Sequence, residues 1–397
     1  MRLPLDGIRV IDLSSVVMGP VATQLLADQG ADVIVIEDRR GDTNRAMGQG
    51  AHPELSGVSM NLLRNKRSVG LDIKTDAGYA ALGRLVATAD IVVTNLRPGS
   101  RRRAQLTYEA LSAFKPDLIF CAAAGYPVDS ALEDAPAYDD VIQAATGVVD
   151  LMQQVGLDAV LIPTLVADKT AGLVMANCVL AALVERGRTG QGADISIAMT
   201  EVMRAYLLVE HGADAIPEPP LGEAGYARIL NAGRRPHPTA DGLISALPYE
   251  DAHYQALFTI AGREDLLDAR VETRKARIAN GASLYADVAA ILKERTTDEW
   301  IEVLRTAGIP SAEVGTIADL LDGLPLADHP HAGQYRVTPP LTGAVADVAV
   351  VRRHAPLHGE HNREVLAEAG YSSDELDALE RDGVVFDGLP RDDTADT

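Results

Sequence analysis

The hydrophobic pattern of the first third of the chain alternates between β-branched runs and helical stretches. Residues 8–13 and 31–37 are apolar runs typical of buried strands, and the helical segment 21–29 between them ends at Gly30. A unit of about 30 residues with this order is a βαβ unit, whose two strands are parallel. Uniformly apolar strands are usually covered by helices on both faces, so the pattern predicts an α/β fold. Further strands are predicted at 91–94 and 118–122, after helices at 76–89 and 108–114.

The pattern changes after about residue 165. A long helix rich in small residues is predicted over 167–186, followed by a strand at 193–197. The next part is rich in Pro and Gly, which predicts a linker over 206–234 between a large domain, 1–205, and a smaller domain, 235–325. Two helices are predicted near the end, at 363–369 and 373–381, the second with an N-cap at Ser372.

Composition limits the function and the compartment. The 397 residues are 47% hydrophobic and carry a net charge of −21, which disfavours nucleic acid and anionic membranes as partners. Two cysteines cannot form a disulfide framework and favour a reducing compartment. The first residues lack a secretory signal, and the longest apolar stretch, 171–184, is interrupted by Asn177 and shorter than the ~20 residues of a membrane span. We therefore expect a soluble, cytoplasmic enzyme.

Common site motifs are absent from the sequence. No G-x-G-x-x-G follows the first strand, where Pro20 lacks an N–H for a pyrophosphate, and there is no Walker loop, G-x-S-x-G or C-x-x-C. NAD chemistry and nucleotide hydrolysis are therefore disfavoured. The pairs His329/His331 and His358/His361 have spacings that a metal could use. No carboxylate or cysteine set completes such a site, so we interpret them as polar loop residues.

Aspartates are the remaining candidates for chemistry. Asp168 follows an apolar segment and begins the long predicted helix, so it is either a capping carboxylate or a nucleophile. As a nucleophile it could attack a thioester, with neighbouring backbone N–H groups holding the oxyanion. The pair Asp139 and Asp140 is a second candidate, with a solvated turn as the alternative.

Several segments together resemble the class III CoA-transferase family, which includes formyl-CoA and carnitine CoA-transferases and the related acyl-CoA racemases. No single segment is decisive, but they occur in order over nearly the whole chain. They are residues 5–13, 19–20, 26–37, 65–74, 95–99, 136–139, 188–192, 355–361 and 365–366.

The resemblance implies an architecture. Family members have a Rossmann-like large domain built from both termini, so 326–397 would return to the large domain, and the middle of the chain would form a small α+β domain. Two ring-like chains interlock into a homodimer.

The resemblance also implies a reaction, in which CoA passes from an acyl-CoA donor to a free carboxylic acid. The family's catalytic aspartate falls on Asp168, and the thioester of coenzyme A is a substrate, with no tightly bound cofactor. Racemases of the family carry a histidine at the position of Tyr138, and a phenol with a pKa near ~10 is a poor base. Tyrosine favours the transferase, with a 2-methylacyl-CoA racemase and a non-catalytic CoA-binding homologue as alternatives.

Finally, the resemblance places contacts to CoA on scattered residues. In an acidic chain the basic members would bind the phosphates, although the arginine run that includes Arg103 could equally be a solvated helix. The implied contacts are Val16, Arg39, Leu71, Lys74, Asn95, Leu96 and Arg103.

Overall fold

The computed structural model describes residues 2–343 and 349–389 and divides into two compact units. The first unit takes the described residues of 1–146, 162–205 and 323–397, and the second takes 147–161 and 206–322. Residues 390–397, the end of the predicted return to the large domain, lie outside the described residues.

The described residues form eleven strands and fifteen α-helices. The strands, in chain order, are β1 (Arg9–Asp12), β2 (Asp32–Glu37), β3 (Lys66–Gly70), β4 (Ile91–Thr94), β5 (Ile119–Ala124), β6 (Ala193–Ala198), β7 (His237–Pro238), β8 (Leu243–Ala246), β9 (Ser311–Glu313), β10 (Leu326–His329) and β11 (Gly333–Arg336). The helices are α1 (Met18–Asp28), α2 (Gly57–Leu62), α3 (Asp76–Ala87), α4 (Pro98–Arg103), α5 (Tyr108–Ser112), α6 (Asp139–Ala145), α7 (Val148–Gln154), α8 (Val166–Thr189), α9 (Met199–His211), α10 (Asp251–Ile260), α11 (Arg274–Ala279), α12 (Gly281–Leu292), α13 (Thr297–Thr306), α14 (Asn362–Glu368) and α15 (Ser373–Arg381).

A parallel sheet of six strands forms the centre of the first unit. Its order is β3-β2-β1-β4-β5-β6, and each neighbouring pair is parallel. This is the order of doubly wound nucleotide-binding folds, in which successive strands are added to one side of β1 and then, from β4 onwards, to its other side. The predicted α/β class with a parallel sheet is therefore confirmed.

The core of the first unit lies on the apolar strands and includes the end of the chain. Ile11, Ile34 and Val92 are fully buried in the sheet, and Val365 and Leu376 from the two C-terminal helices belong to the same cluster. The helix at 373–381 forms as predicted, and the hydroxyl of Ser372 accepts the N–H of Glu375 to cap it.

One predicted boundary differs for a steric reason. The first helix was expected from residue 21, with Gly19 and Pro20 as a break, but α1 already begins at Met18. Pro20 occupies the first turn, where its missing N–H costs no helical hydrogen bond. Gly19 allows close packing, because a Cβ there would lie 2.1 Å from the Cβ of Ser14.

The second unit has its own core and sheet. The short strands β7, β8 and β9 form an antiparallel sheet, and Trp300 and Phe258 lie buried in its apolar cluster. The unit differs from the predicted small domain, because it takes in 147–161 and the predicted linker 206–234. The N–H of Gly225 bonds to the carbonyl of His211, which ties this Pro- and Gly-rich segment to the end of α9, although residues 216–224 are exposed.

Helix α8 extends to 24 residues, beyond the predicted 167–186. Among the described helices it alone is long and apolar enough to cross a membrane, with a third of its apolar window buried. The expectation that the apolar stretch is too short thus fails on length. Core helices of soluble proteins pass the same test, and α8 packs against α1 and its neighbouring strands β5 and β6.

Candidate active site

The carboxyl ends of β1 to β4 lie on one edge of the parallel sheet. Ligands of such sheets bind at this edge, where the strand order reverses. Each residue implied as a CoA contact follows the end of one of these four strands. Val16 follows β1, Arg39 follows β2, Leu71 and Lys74 follow β3, and Asn95, Leu96 and Arg103 follow β4. The fold therefore brings the segments that directly follow these strands to one edge, although Val16 and Leu96 are 80 positions apart in the sequence.

The loop after β1 is strained and held from two sides. Val16 has a φ of 69°, a left-handed conformation that costs a β-branched residue energy. The N–H of Val16 donates to Asp42 at 3.0 Å, and the backbone of Ser15 exchanges two hydrogen bonds, of 3.0 and 2.7 Å, with the amide of Asn95. The side chain of Asn95 therefore positions the loop at the switch point.

The other implied contacts divide into buried and exposed side chains. Leu71 is 1% exposed and belongs to the core, which leaves only its backbone near the edge. Arg39, Lys74 and Arg103 are exposed, and within the described residues none of the three pairs with a carboxylate. The guanidinium of Arg39 lies 4.4 Å from the ring centroid of Phe386.

Buried polar groups behind the loop were not identified from the sequence. Burial raises the pKa of Asp42 to about 6, and the charges of Glu37 and Asp12 add to the effect. The Oδ2 of Asp42 and both side-chain polar atoms of Asn44 are buried without a hydrogen-bond partner in the described part of the chain. The local sequence does not predict that Asp42 and Asn44 are buried, because this polar segment becomes buried only when the loop folds.

Asp168 lies in the first turn of α8, and a second aspartate caps this helix. The N-cap residue Leu165 provides no side-chain acceptor. Instead, the Oδ1 of Asp139 accepts the N–H groups of Ala167 at 2.7 Å and Asp168 at 3.0 Å. Asp139 is 2% exposed, so the solvated-turn interpretation of the pair is wrong for Asp139, and only Asp140 is exposed.

A glutamine holds this capping aspartate in place. The Nε2 of Gln143 donates to the Oδ2 of Asp139 at 2.5 Å, and the Oε1 of Gln143 accepts the N–H of Ile162 at 2.9 Å. Asp139 and Gln143 are one turn apart on α6, so this helix fixes the start of α8.

The carboxyl group of Asp168 is partly buried and has no cation beside it. Burial raises its pKa to about 6, and the negative charge of Asp139 contributes. Among the described residues no lysine or arginine forms an ion pair with Asp168, and the neighbouring Lys169 donates to the hydroxyl of Thr164. Such a carboxylate is poorly solvated, which makes it a better nucleophile than one in water.

The expected oxyanion site at the start of α8 is not formed. The N–H of Val166 bonds to the carbonyl of Thr164, and the N–H of Lys169 bonds to that of Leu165. The two N–H groups between them bond to Asp139. The first-turn donors are thus occupied, and any oxyanion must be stabilised by other groups.

Close helix packing places Asp168 beside the edge of the sheet. One turn after Asp168, Gly172 approaches α1 so closely that a Cβ would lie 2.6 Å from the carbonyl oxygen of Met18. Met18 begins α1 directly after the loop that contains Val16. Because residues four apart share a helix face, Asp168 lies on the side of α8 that faces this loop.

Tyr138 directly precedes the capping aspartate. Its side chain is 69% exposed and forms no hydrogen bond within the described residues. The phenol is therefore accessible, while the backbone next to it is fixed by Asp139.

The histidine pairs are mostly buried and bonded rather than exposed loop residues. The Nε2 of His329 lies 2.8 Å from the carbonyl of Ala355, and the Nε2 of His358 lies 2.8 Å from that of Asp38. No group of three potential metal ligands occurs among the described residues.

Together these features define a doubly wound α/β protein. Beside the edge where its strands end lies the partly buried carboxylate of Asp168, which has no ion-pair partner among the described residues. Residues 5–362 match the family model "CoA-transferase family III". The chain therefore belongs to this family, and it is a CoA-transferase.

Named relatives span nearly the whole chain. The succinate–glutarate CoA-transferase of Agrobacterium fabrum is 29% identical, with 92% of this chain and 95% of that protein covered. The probable fatty acyl-CoA transferase of Mycobacterium tuberculosis is 31% identical, with 92% and 98% covered. A crystal structure of a CAIB/BAIF family protein from Brucella suis matches with a TM-score of 0.77 at 29% identity, covering 93% of this chain and 100% of that one.

Proposed function

We propose that this protein transfers CoA from an acyl-CoA to a free carboxylic acid through covalent intermediates on Asp168. The observation that carries the proposal is the carboxyl group of Asp168, partly buried, without a cation and next to the strained loop of Val16. A carboxylate in such a position is available for attack, whereas an ion-paired one is held by its partner.

The transfer of CoA between the two acids requires neither water nor an oxidant. A carboxylate oxygen of Asp168 attacks the thioester carbonyl, and the C–S bond breaks to give a mixed anhydride and the CoA thiolate. The thiolate then attacks the aspartyl carbonyl, which releases the donor acid as a carboxylate and leaves an aspartyl–CoA thioester. The acceptor carboxylate attacks this thioester and forms a second anhydride. The CoA thiolate then attacks the acyl carbonyl of this anhydride, which gives the new acyl-CoA and releases the carboxylate of Asp168.

The residues at the sheet edge have distinct roles in this proposal. Arg39, Lys74 and Arg103 bind the phosphates of CoA, because they are exposed cations at the edge where such folds bind ligands. The backbone at Val16, Leu71 and Leu96 contacts the rest of the cofactor-like substrate, and Asn95 positions the loop. Tyr138 donates its hydroxyl proton in a hydrogen bond to the reacting acyl oxygen. No tightly bound cofactor is required.

The names of the relatives support a class of reaction but do not agree on the acyl group. They are named as transferases, which does not favour a racemase or a non-catalytic homologue. Some of the names concern dicarboxylic acids, such as succinate–glutarate and succinyl-CoA:mesaconate, and another concerns fatty acyl groups.

Mass spectrometry tests the covalent step. After incubation with a panel of acyl-CoA thioesters, we expect an acyl or CoA adduct on the peptide that contains Asp168. The variant Asp168→Asn should form no adduct and lose at least ~10³-fold of its transfer rate, because an amide is not a nucleophile here. Asp140→Asn, an exposed neighbour of the capping aspartate, is the matched control and should react normally. Full transfer by Asp168→Asn would refute the mechanism.

We also propose a homodimer in the cytoplasm. Each unit exposes large apolar side chains, such as Leu173 and Val184 in the first and Val209 and Ile317 in the second. A second copy would cover such surface. Light scattering should give about twice 42.1 kDa at every dilution, because interlocked chains cannot separate without unfolding. A stable folded monomer would contradict the interlocked arrangement.

A further inference from the structure

The loop after β1 is held by side chains at the ends of three different strands. The N–H groups of residues 14, 15 and 16 each donate to a side-chain oxygen at 3.0 Å, and the acceptors are, in the same order, Asp12, Asn95 and Asp42. Asp12 ends β1, Asn95 directly follows β4, and Asp42 lies in the segment after β2. The backbone at the edge where such folds bind ligands is therefore fixed by groups from three parts of the sequence.

Val16 is the strained residue of this loop. Among the non-glycine residues of positive φ in the described part of the chain, it alone is β-branched. A β-branched side chain is disfavoured in this conformation, because it clashes with its own backbone. Such strain persists only where the surrounding interactions enforce it, and it is typical of functional sites. The N–H of Val16 is held by its hydrogen bond to the Oδ1 of Asp42.

The position of Asp42 is fixed in turn by its own backbone and by its neighbours. Its N–H donates to the Oε1 of Glu37 at 3.0 Å, and Glu37 is paired with Arg45 at 2.7 Å. The Oδ1 of Asp42 accepts a second N–H, that of Asn44, at 2.8 Å. Its Oδ2 is buried without a partner among the described residues, which costs the fold free energy. The contribution of Asp42 therefore lies in the two N–H groups that its Oδ1 holds.

We propose that Asp42 is a positioning residue, which holds Val16 in its left-handed conformation and so places the thioester of acyl-CoA against Asp168. Helix α1 begins at Met18, whose carbonyl oxygen packs closely against Gly172, one turn from Asp168. A shift of the loop would therefore move one side of the space in which the nucleophile and the thioester meet, and a displacement of about 1 Å can cost ~10²-fold in rate. The proposal rests on the proposed function, since it takes Asp168 as the group that attacks the thioester.

Steady-state kinetics of CoA transfer test this role. The variant Asp42→Ala leaves the N–H of Val16 without its acceptor, so the strained loop relaxes. We expect kcat to fall at least ~tenfold while the KM for acyl-CoA rises less than about threefold, because the exposed cations at the sheet edge still bind CoA. An unchanged kcat, or a loss confined to KM, would contradict the proposal.

Two further variants separate the hydrogen bond from the charge of Asp42 and from the stability of the unit. Asp42→Asn keeps a carbonyl oxygen for the two N–H donors, which orient the amide, so its kcat should stay within about twofold of the wild type. Ser372→Ala removes the cap of α15 and destabilises the same unit without touching the loop, so it should leave kcat unchanged below its unfolding temperature. A loss in Asp42→Asn or in Ser372→Ala as large as that in Asp42→Ala would overturn the positioning role.

Hydrogen exchange followed by mass spectrometry measures the loop directly, on the peptide of residues 13–18. The N–H of Val16 should exchange at least ~tenfold faster in Asp42→Ala than in the wild type, because a bonded N–H exchanges only when its bond opens. Asp42→Asn should exchange as the wild type does. Unchanged exchange in Asp42→Ala would show that Asp42 does not hold the loop.

A glycine at the strained position gives an independent test. In the double variant Val16→Gly/Asp42→Ala, glycine adopts the positive φ without strain, so part of the lost kcat should return. A folded double variant without measurable transfer would refute the proposal, whether or not Asp42→Ala folds by itself.

The positioning role and the covalent mechanism can fail separately. If acyl-CoA labels Asp168 as fast in Asp42→Ala as in the wild type, the positioning role fails and the mechanism stands. If Asp42→Ala lowers kcat as expected, but Asp168 is never labelled and Asp168→Asn still transfers CoA, the mechanism fails. Asp42 then positions the loop for a different nucleophile.

Discussion

A buried and a partly buried carboxyl group of the first unit show how the surroundings distinguish structural from reactive acids. Glu37, at the end of β2, forms two hydrogen bonds of 2.7 Å with Arg45 and a third with Ser68. Burial alone would raise its pKa, but Arg45 lowers it to about 2. Asp168 is also desolvated but has a second carboxylate, Asp139, where Glu37 has an arginine, and its pKa is raised to about 6.

The difference teaches that burial by itself does not identify a functional acid. Desolvation is the largest influence on both groups and acts in the same direction. The sign of the neighbouring charge decides the outcome. The carboxylate of Glu37 is paired, so it stabilises the fold and is not available to react. The carboxylate of Asp168 is unpaired, so it remains available as a nucleophile but lowers the stability of the fold.

Replacing Arg45, the partner of Glu37, should have the largest effect on stability. Arg45→Met leaves Glu37 buried without its partner, and we expect a loss of about 3–5 kcal/mol in the free energy of unfolding, measured with urea. The double variant Arg45→Met/Glu37→Gln removes the stranded charge and should recover much of the loss. A double variant as unstable as the single one would show that the ion pair is not the cause.

Replacing Asp168 should change the free energy of unfolding in the opposite direction. The pKa of Asp168 is about 6 in the fold and near its usual 3.8 in the unfolded chain, so the fold binds the proton more tightly. Stability therefore falls as pH rises from about 4 to 6, and the cost remains above that range. Asp168→Asn removes it and should stabilise the protein at pH 7 by up to about 3 kcal/mol.

Thermal unfolding over a pH series checks this expectation. The stabilisation of Asp168→Asn should shrink towards pH 4, where the wild-type carboxyl group is protonated. Asp140→Asn provides the control, with no gain at either pH. Destabilisation of Asp168→Asn at pH 7 would mean that Asp168 has a structural partner as Glu37 does.

The smallest effect concerns the pH dependence of transfer. The rate should fall about tenfold for each pH unit below 6, because protonation of Asp168 removes the nucleophile. Asp139→Asn removes the like charge and should move the midpoint down by less than about 1 pH unit, since burial contributes more than Asp139. A midpoint that moves up instead would show that Asp139 stabilises the ionised form.

Local pattern predicted the sheet because buried parallel strands are apolar over their whole length. The strand predicted at 91–94 matches β4, and the helix predicted at 373–381 matches α15. The position of Asp168 in the first turn of a long helix was also predicted from its local setting. Asp139 was not interpreted correctly, because an aspartate after a tyrosine and before another aspartate has the same local pattern whether it is solvated or capping a distant helix.

The sequence by itself determined the fold class and the family, since these depend on periodicity and on motifs that occur in order along the chain. Only the tertiary structure decided how the groups act. In the folded protein the first-turn N–H groups of α8 donate to Asp139, and the side chain of Asn95 holds the loop after β1. The physical reason is that pairing and desolvation depend on which distant groups meet, and their separation along the chain carries no signal of that meeting.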